Sequence, residues 1–179
     1  MPLPLVPDVP FPPYTYVPGC APHPVNDPAG HLYGAAHGPA AALDAEHPEE
    51  CRAYLRGIDL FNAGYYWEAH EEWESVWHAV GRRGQTADFL KGLIKLAAAG
   101  VKAYEGRVEG VRRHCVRAGE LLQGAPGQGD LRRFAGVSLA RLVSMARTIG
   151  GDAEAVMRRG TEAPCGGLIG EIELAPSGR

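Results

Sequence analysis

From residue 48 onward, apolar residues recur at the spacing of an amphipathic helix; before it they do not. Pro48 followed by Glu49 and Glu50 predicts a helix start, because proline suits a first helical turn and acids suit the positive end of the helix dipole. Ala53, Tyr54, Ile58 and Phe61 continue with helical period, and Gly64 is placed to cap that helix. The same reasoning predicts a second helix over 65–80, stopped by Gly81, and a third over 86–105, stopped by Gly106. A fourth is predicted over 108–123, closed by a turn over 124–129, and a fifth over 130–149 with Asp130 as its N-cap. A short helix over 152–159 follows, and residues 168–174 alternate like a short strand. The connections are short, which makes consecutive helices antiparallel neighbours. The fold expected is therefore all-α: an up-and-down bundle of about five helices.

Residues 1–47 break this pattern. Twelve of the fifteen prolines lie within residues 1–48, which excludes a continuous helix or a central strand. Tyr14, Tyr16, Val17, Leu32 and Tyr33 give the segment apolar anchors that a solvated linker would not need. An extended proline-rich N-terminal arm, ordered over 14–40 and wrapped on the bundle, is expected. The chain thus divides into an arm (1–47), a helical domain (48–160) and a C-terminal tail (161–179).

Composition adds limits. With 45% hydrophobic and 22% charged residues, the 179-residue chain has the make-up of a globular domain with a real core. A net charge of −3 gives no global field that would favour nucleic acid or a membrane surface, and neither is expected as a partner. The charge is polarised: residues 41–80 carry nine acids against two arginines, and 101–160 carry eleven basic residues against six acids. Internal salt bridging, or pairing with a charged partner or a second copy, would use that asymmetry. Cys20, Cys51, Cys115 and Cys165 form no C-x-x-C pair and imply no disulfide framework. With no basic-then-apolar leader and no long apolar run, a cytoplasmic location is expected.

Candidate chemistry is concentrated in the second helix, Tyr65-Tyr66-Trp67-Glu68-Ala69-His70-Glu71-Glu72-Trp73-Glu74-Ser75-Val76-Trp77-His78, which holds all three tryptophans. At about 100° per residue, Tyr66, Ala69, Trp73, Val76 and Trp77 form a core stripe with His70 at its edge. His70 and Glu74 are neighbours at i and i+4, Glu71 lies one turn before Glu74, and Trp67 lies one turn before Glu71. An imidazole and two carboxylates on one flank can hold a divalent metal such as zinc, iron or manganese, or act as an acid–base pair. They can equally be satisfied polar groups at the border of a core. H-E-x-x-E is only superficially like the H-E-x-x-H metalloprotease pattern, because Glu74 replaces the second histidine.

The arm carries four of the seven histidines. If it folds over the second helix, His23 or His31, with Asp27, would complete a metal sphere with His70 and Glu74; otherwise these residues pack a proline-rich strap. On the third helix, Lys91, Lys95 and Lys102 share one side opposite Phe89, Leu93, Ala97 and Tyr104, forming a stripe that is solvated, shielded by the arm, or open to an anion. Arg112, Arg113, His114 and Arg117 lack interleaved aromatics and read as a solvated helix face.

Two blocks carry a resemblance. Leu60-Phe61-Asn62-Ala63-Gly64-Tyr65-Tyr66-Trp67-Glu68-Ala69-His70-Glu71, with Trp73-Glu74 and Trp77, is one; Phe89-Leu90-Lys91-Gly92-Leu93-Ile94-Lys95-Leu96-Ala97-Ala98-Ala99 is the other. Together, over about residues 52–125, they resemble domain-of-unknown-function family 309. The resemblance implies a small all-helical bundle of bacteria and archaea with no established activity, in which the positions of Lys91 and Lys95 are often glutamine. The arm lies outside it.

Two functional readings follow. In one, the protein binds a metal or small ligand at Trp67, His70, Glu71 and Glu74, with the arm as a lid. In the other it is a protein–protein interaction or self-association module without catalytic activity, and the histidine and glutamates are structural.

Overall fold

The computed structural model describes residues 3–35, 38–125, 133–162 and 167–175. It is an all-α bundle. The helices are α1 (Arg52–Asn62), α2 (Tyr66–Ala79), α3 (Gln85–Tyr104), α4 (Val108–Gly124), α5 (Leu139–Gly151) and α6 (Ala153–Glu162). A two-stranded antiparallel ribbon, β1 (Arg133–Phe134) and β2 (Val137–Ser138), precedes α5. Among the described residues, no helix is long and apolar enough to cross a membrane.

α3 is the central element, packed against α2, α4 and α6. Between Phe89 and Tyr104 its only residues that are not fully buried are Lys91, Lys95, Ala98 and Lys102. The turns on either side repeat one device. The amide of Tyr65 donates to Leu60 O (2.8 Å), that of Arg82 to Trp77 O (3.1 Å) and that of Arg107 to Lys102 O (2.9 Å). In each case the residue before the donor has a positive φ and is glycine: Gly64, Gly81 and Gly106. This six-to-one hydrogen bond satisfies a terminal helix carbonyl and reverses the chain, which is why α1 to α4 run antiparallel to their neighbours.

Close approach is set by glycines facing aromatic rings. A β-carbon on Gly57 would lie 2.2 Å from Trp73 Nε1, and one on Gly100 would lie 2.4 Å from the Tyr66 ring. Tyr66 and Trp73 are fully buried, and Trp73 Nε1 donates to Tyr54 O at 3.2 Å. Two turns earlier on α3, a β-carbon on Gly92 would lie 2.7 Å from Leu122 of α4.

Several expectations are corrected here. The first helix does not run on from Pro48: residues Pro48–Glu50 make a 3-10 turn, and the chain breaks at Cys51 (φ −92°, ψ 86°) before α1. The fifth helix begins at Leu139, with Ser138 rather than Asp130 as its N-cap; Asp130 lies outside the described residues. Residues 133–138, expected to be helical, form the ribbon because Ala135 (φ 47°) and Gly136 (φ 76°) make a two-residue turn that matches strand twist. The turn is fixed from outside: Tyr54 Oη donates to the buried Ala135 O at 2.9 Å. The alternating tail makes a single bridge, Leu174 to Val137, instead of a strand. The Asn62 side chain takes the neighbouring strand's place, donating to Ile172 O (2.9 Å) and accepting from Ile172 N (2.7 Å). Trp77 is half-buried rather than in the core, with the Arg82 guanidinium and Lys91 ammonium over its ring.

The N-terminal segment is pinned by buried charges. Asp59, on α1, accepts the amides of Leu5 (2.8 Å) and Val6 (2.9 Å), and Arg56 donates to Pro10 O (2.6 Å) with its guanidinium 4.7 Å from the centre of the Phe11 ring. Val6, Val17 and Leu43 are buried there.

Gly57→Ala should destabilise the protein by about 1–3 kcal/mol, the usual cost of overpacking a filled core. Urea unfolding measures it; an unchanged midpoint would show that α1 and α2 can separate to admit a methyl group.

Candidate functional site

The burial of Tyr66, Ala69, Trp73 and Val76 fixes how α2 is rotated. Trp67, His70, Glu74 and Trp77 are therefore left at its half-buried border, and Glu71 is exposed. His70 Nδ1 lies 3.2 Å from Glu71 Oε1, and the two side chains are 28% and 45% exposed. His70, Glu71 and Glu74 each offer one ligand atom, all within 4.8 Å of one another. Three ligands at about 2.1 Å from a tetrahedral ion are spaced about 3.4 Å apart, so closure needs about an ångström of movement from border side chains. Glu74 has no hydrogen-bond or ion-pair partner among the described residues.

The N-terminal segment arrives one turn before this group. Glu68, in the first turn of α2, is 5% exposed and accepts from the Tyr16 amide (2.8 Å) and the Thr15 hydroxyl (3.0 Å). Burial raises the Glu68 carboxyl above its usual range, and the bonds from Tyr16 and Thr15 oppose that rise. This clamp brings Tyr16 and His23 edge-on against Trp67, with ring centres 5.2 and 5.5 Å away.

The structure brings His70, Glu71 and Glu74 together, with Trp67 one turn away. It does not bring His23 or His31 into that group. His23 Nδ1 accepts from the amides of Val25 (3.3 Å) and Asn26 (3.2 Å), so the ring organises its own loop. His31 meets Tyr14 edge-on at 4.8 Å; both its ring nitrogens are buried without a hydrogen-bond partner, and burial lowers its pKa. Asp27 caps its own turn by accepting from Ala29 N at 2.9 Å.

Other residues near the group are not apparent from pattern alone. His114, within a run that reads as solvated, is half-buried. Burial lowers its pKa from 6.5 to about 4, with added repulsion from Lys95, Arg113, Lys102 and His70. A signal did exist: Val111, Cys115, Ala118 and Leu122 are the core stripe of α4, and His114 stands three after Val111 and four before Ala118. Two arginines of that run are paired within the protein, Arg112 to Glu109 (2.5 Å) and Glu154 (3.1 Å), and Arg117 to Glu120 (2.8 Å), while Arg113 is exposed. Glu68, Asp59 and Arg56 carried no signal, because their partners are backbone groups some fifty residues away.

His114 has a defined pH consequence. Unfolded, its imidazole takes a proton near 6.5; folded, near about 4. Between those values the unfolded chain binds the extra proton, so this group lowers stability as pH falls through that window and has no effect above it. An NMR titration of the ring should give a midpoint near about 4, and His114→Gln should lessen the acid-side loss of stability. A midpoint near 6.5 would place the ring in solvent. Separately, Glu68→Ala should cost about 1–3 kcal/mol by leaving the Tyr16 amide and Thr15 hydroxyl unpaired, with a red shift in tryptophan fluorescence as Trp67 is uncovered. An unshifted spectrum would show that the ring contacts hold the strap without Glu68.

Residues 54–114, from Tyr54 in α1 to His114 in α4, match a family model described as Domain of unknown function (DUF309). No curated protein matches the chain.

Proposed function

We propose that the protein, whose residues 54–114 match the DUF309 family model, binds a divalent transition metal through His70, Glu71 and Glu74. The observation that carries this reading is the convergence of one imidazole and two carboxylates within 4.8 Å on a half-buried flank. One nitrogen and two oxygen ligands suit zinc, iron or manganese, and three protein ligands leave a position for water or a second ligand. Trp67, covered by Tyr16 and His23, forms an apolar wall beside the ion, and the N-terminal segment is its lid. We place the protein in a reducing, cytoplasmic setting, consistent with free thiols at Cys20, Cys51 and Cys115.

Elemental analysis of untagged protein tests this directly. Near-stoichiometric metal is expected in the wild type, with loss from a folded His70→Ala, Glu74→Ala variant. Absence of metal from purified protein, and failure to take up added zinc or manganese, would sink the proposal and favour an interaction module in which the cluster is structural.

A further inference from the structure

The open stripe of α3 faces the groove between α2 and α4, and the close contacts fix what lies level with it. Gly100 meets Tyr66, and Lys91 lies over Trp77, its Nζ 5.5 Å from the ring centre. For two antiparallel helices of equal rise, these pairs put His70 level with residues 96 to 98 of α3. Towards α4, Gly92 meets Leu122 and Gly110 meets Lys102, which puts His114 level with residues 98 to 100 of α3. His70 and His114 thus stand on opposite sides of Ala98. Lys95 is three residues before Ala98 and Lys102 four after it, on the same half-buried stripe.

These lysines are not equivalent. Lys91 is engaged by the Trp77 ring, and Lys102 pairs with Glu105 at 2.6 Å. Lys95 has no hydrogen-bond or ion-pair partner among the described residues, and neither has His114. His114 nevertheless feels the charges of Lys95, Lys102 and His70, which supports their proximity. A shallow groove is thus floored by the small Ala98, with a free ammonium and a free imidazole facing the His70–Glu71–Glu74 flank. A dication held by two carboxylates is formally neutral, so with Lys95 the loaded groove is positive.

We propose that this groove binds a phosphoryl group, free or as a phosphate ester, through Lys95, His114 and the metal. The proposal rests on the metal reading for one of its three partners. The three approach from different sides, which the separate oxygens of a tetrahedral group can meet; a planar carboxylate has only two oxygens to offer. The floor of alanine leaves the space that a longer side chain would fill.

Titration calorimetry with inorganic phosphate tests it, on protein loaded with manganese and on metal-free protein. Acetate is the control for general anion binding, and circular dichroism is the control for folding. Loaded wild type is expected to bind phosphate in preference to acetate. Lys95→Met should weaken binding about tenfold or more, as loss of a charged hydrogen bond does, with metal content unchanged. Lys91→Met, which alters the ammonium already held by Trp77, should leave it unchanged. Equal binding by wild type and Lys95→Met, no preference over acetate, or no binding by protein that holds its metal would overturn the proposal. If the protein takes up no metal, the metal reading fails on its own. Phosphate binding that Lys95→Met abolishes would then still uphold the groove, and its absence would overturn it.

Discussion

The seating of two aromatic rings of α2 in glycine notches is the constraint on which the rest of the structure depends. Trp73 enters a gap in α1 that only Gly57 can provide, and Tyr66 enters one in α3 at Gly100. Each ring contributes a large buried apolar area, and each contact admits no added carbon. Together they fix the rotation and height of α2 between α1 and α3. His70, Glu71 and Glu74 occupy a border because Tyr66, Ala69, Trp73 and Val76 occupy the core.

The N-terminal segment solves a different problem. Rich in proline, it cannot satisfy its amides by forming a helix or joining a sheet, so it borrows acceptors from the bundle. Asp59 takes the amides of Leu5 and Val6, and Glu68 takes that of Tyr16. Buried carboxylates are costly unless they are hydrogen-bonded, and backbone amides are suitable partners. The same clamp carries Tyr16 and His23 onto Trp67, so one set of bonds holds the segment down and covers the border of α2.

The groove between α2 and α4 is a consequence of how α3 is buried. A central helix flanked on both sides keeps one narrow stripe, and here that stripe carries three lysines and one alanine. Charged side chains at such a border reach water while their stems pack, so their presence costs little. Two of the three are already engaged within the protein, which singles out Lys95.

By itself the sequence determined the all-helical class, the ends of α1, α2 and α3 at Gly64, Gly81 and Gly106, and the flank that joins His70, Glu71 and Glu74. These follow from local periodicity and from residues one helical turn apart. It also carried the resemblance over the matched segment, through two blocks of consecutive residues in order. Tertiary structure decided the rest. The hairpin before α5 depends on a turn with two positive φ angles that is held by a distant tyrosine. The pinning of the N-terminal segment depends on carboxylates that pair with backbone amides, whose identity no side-chain pattern reveals. His23 and His31 were placed by the strap's own hydrogen bonds and ring contacts, and the contacts of Gly100 with Tyr66 and of Gly92 with Leu122 bring His70 and His114 to the same stretch of α3. Periodicity reports which face of an element is buried, whereas the pairing of faces from different elements depends on close contacts that form only when the chain is packed.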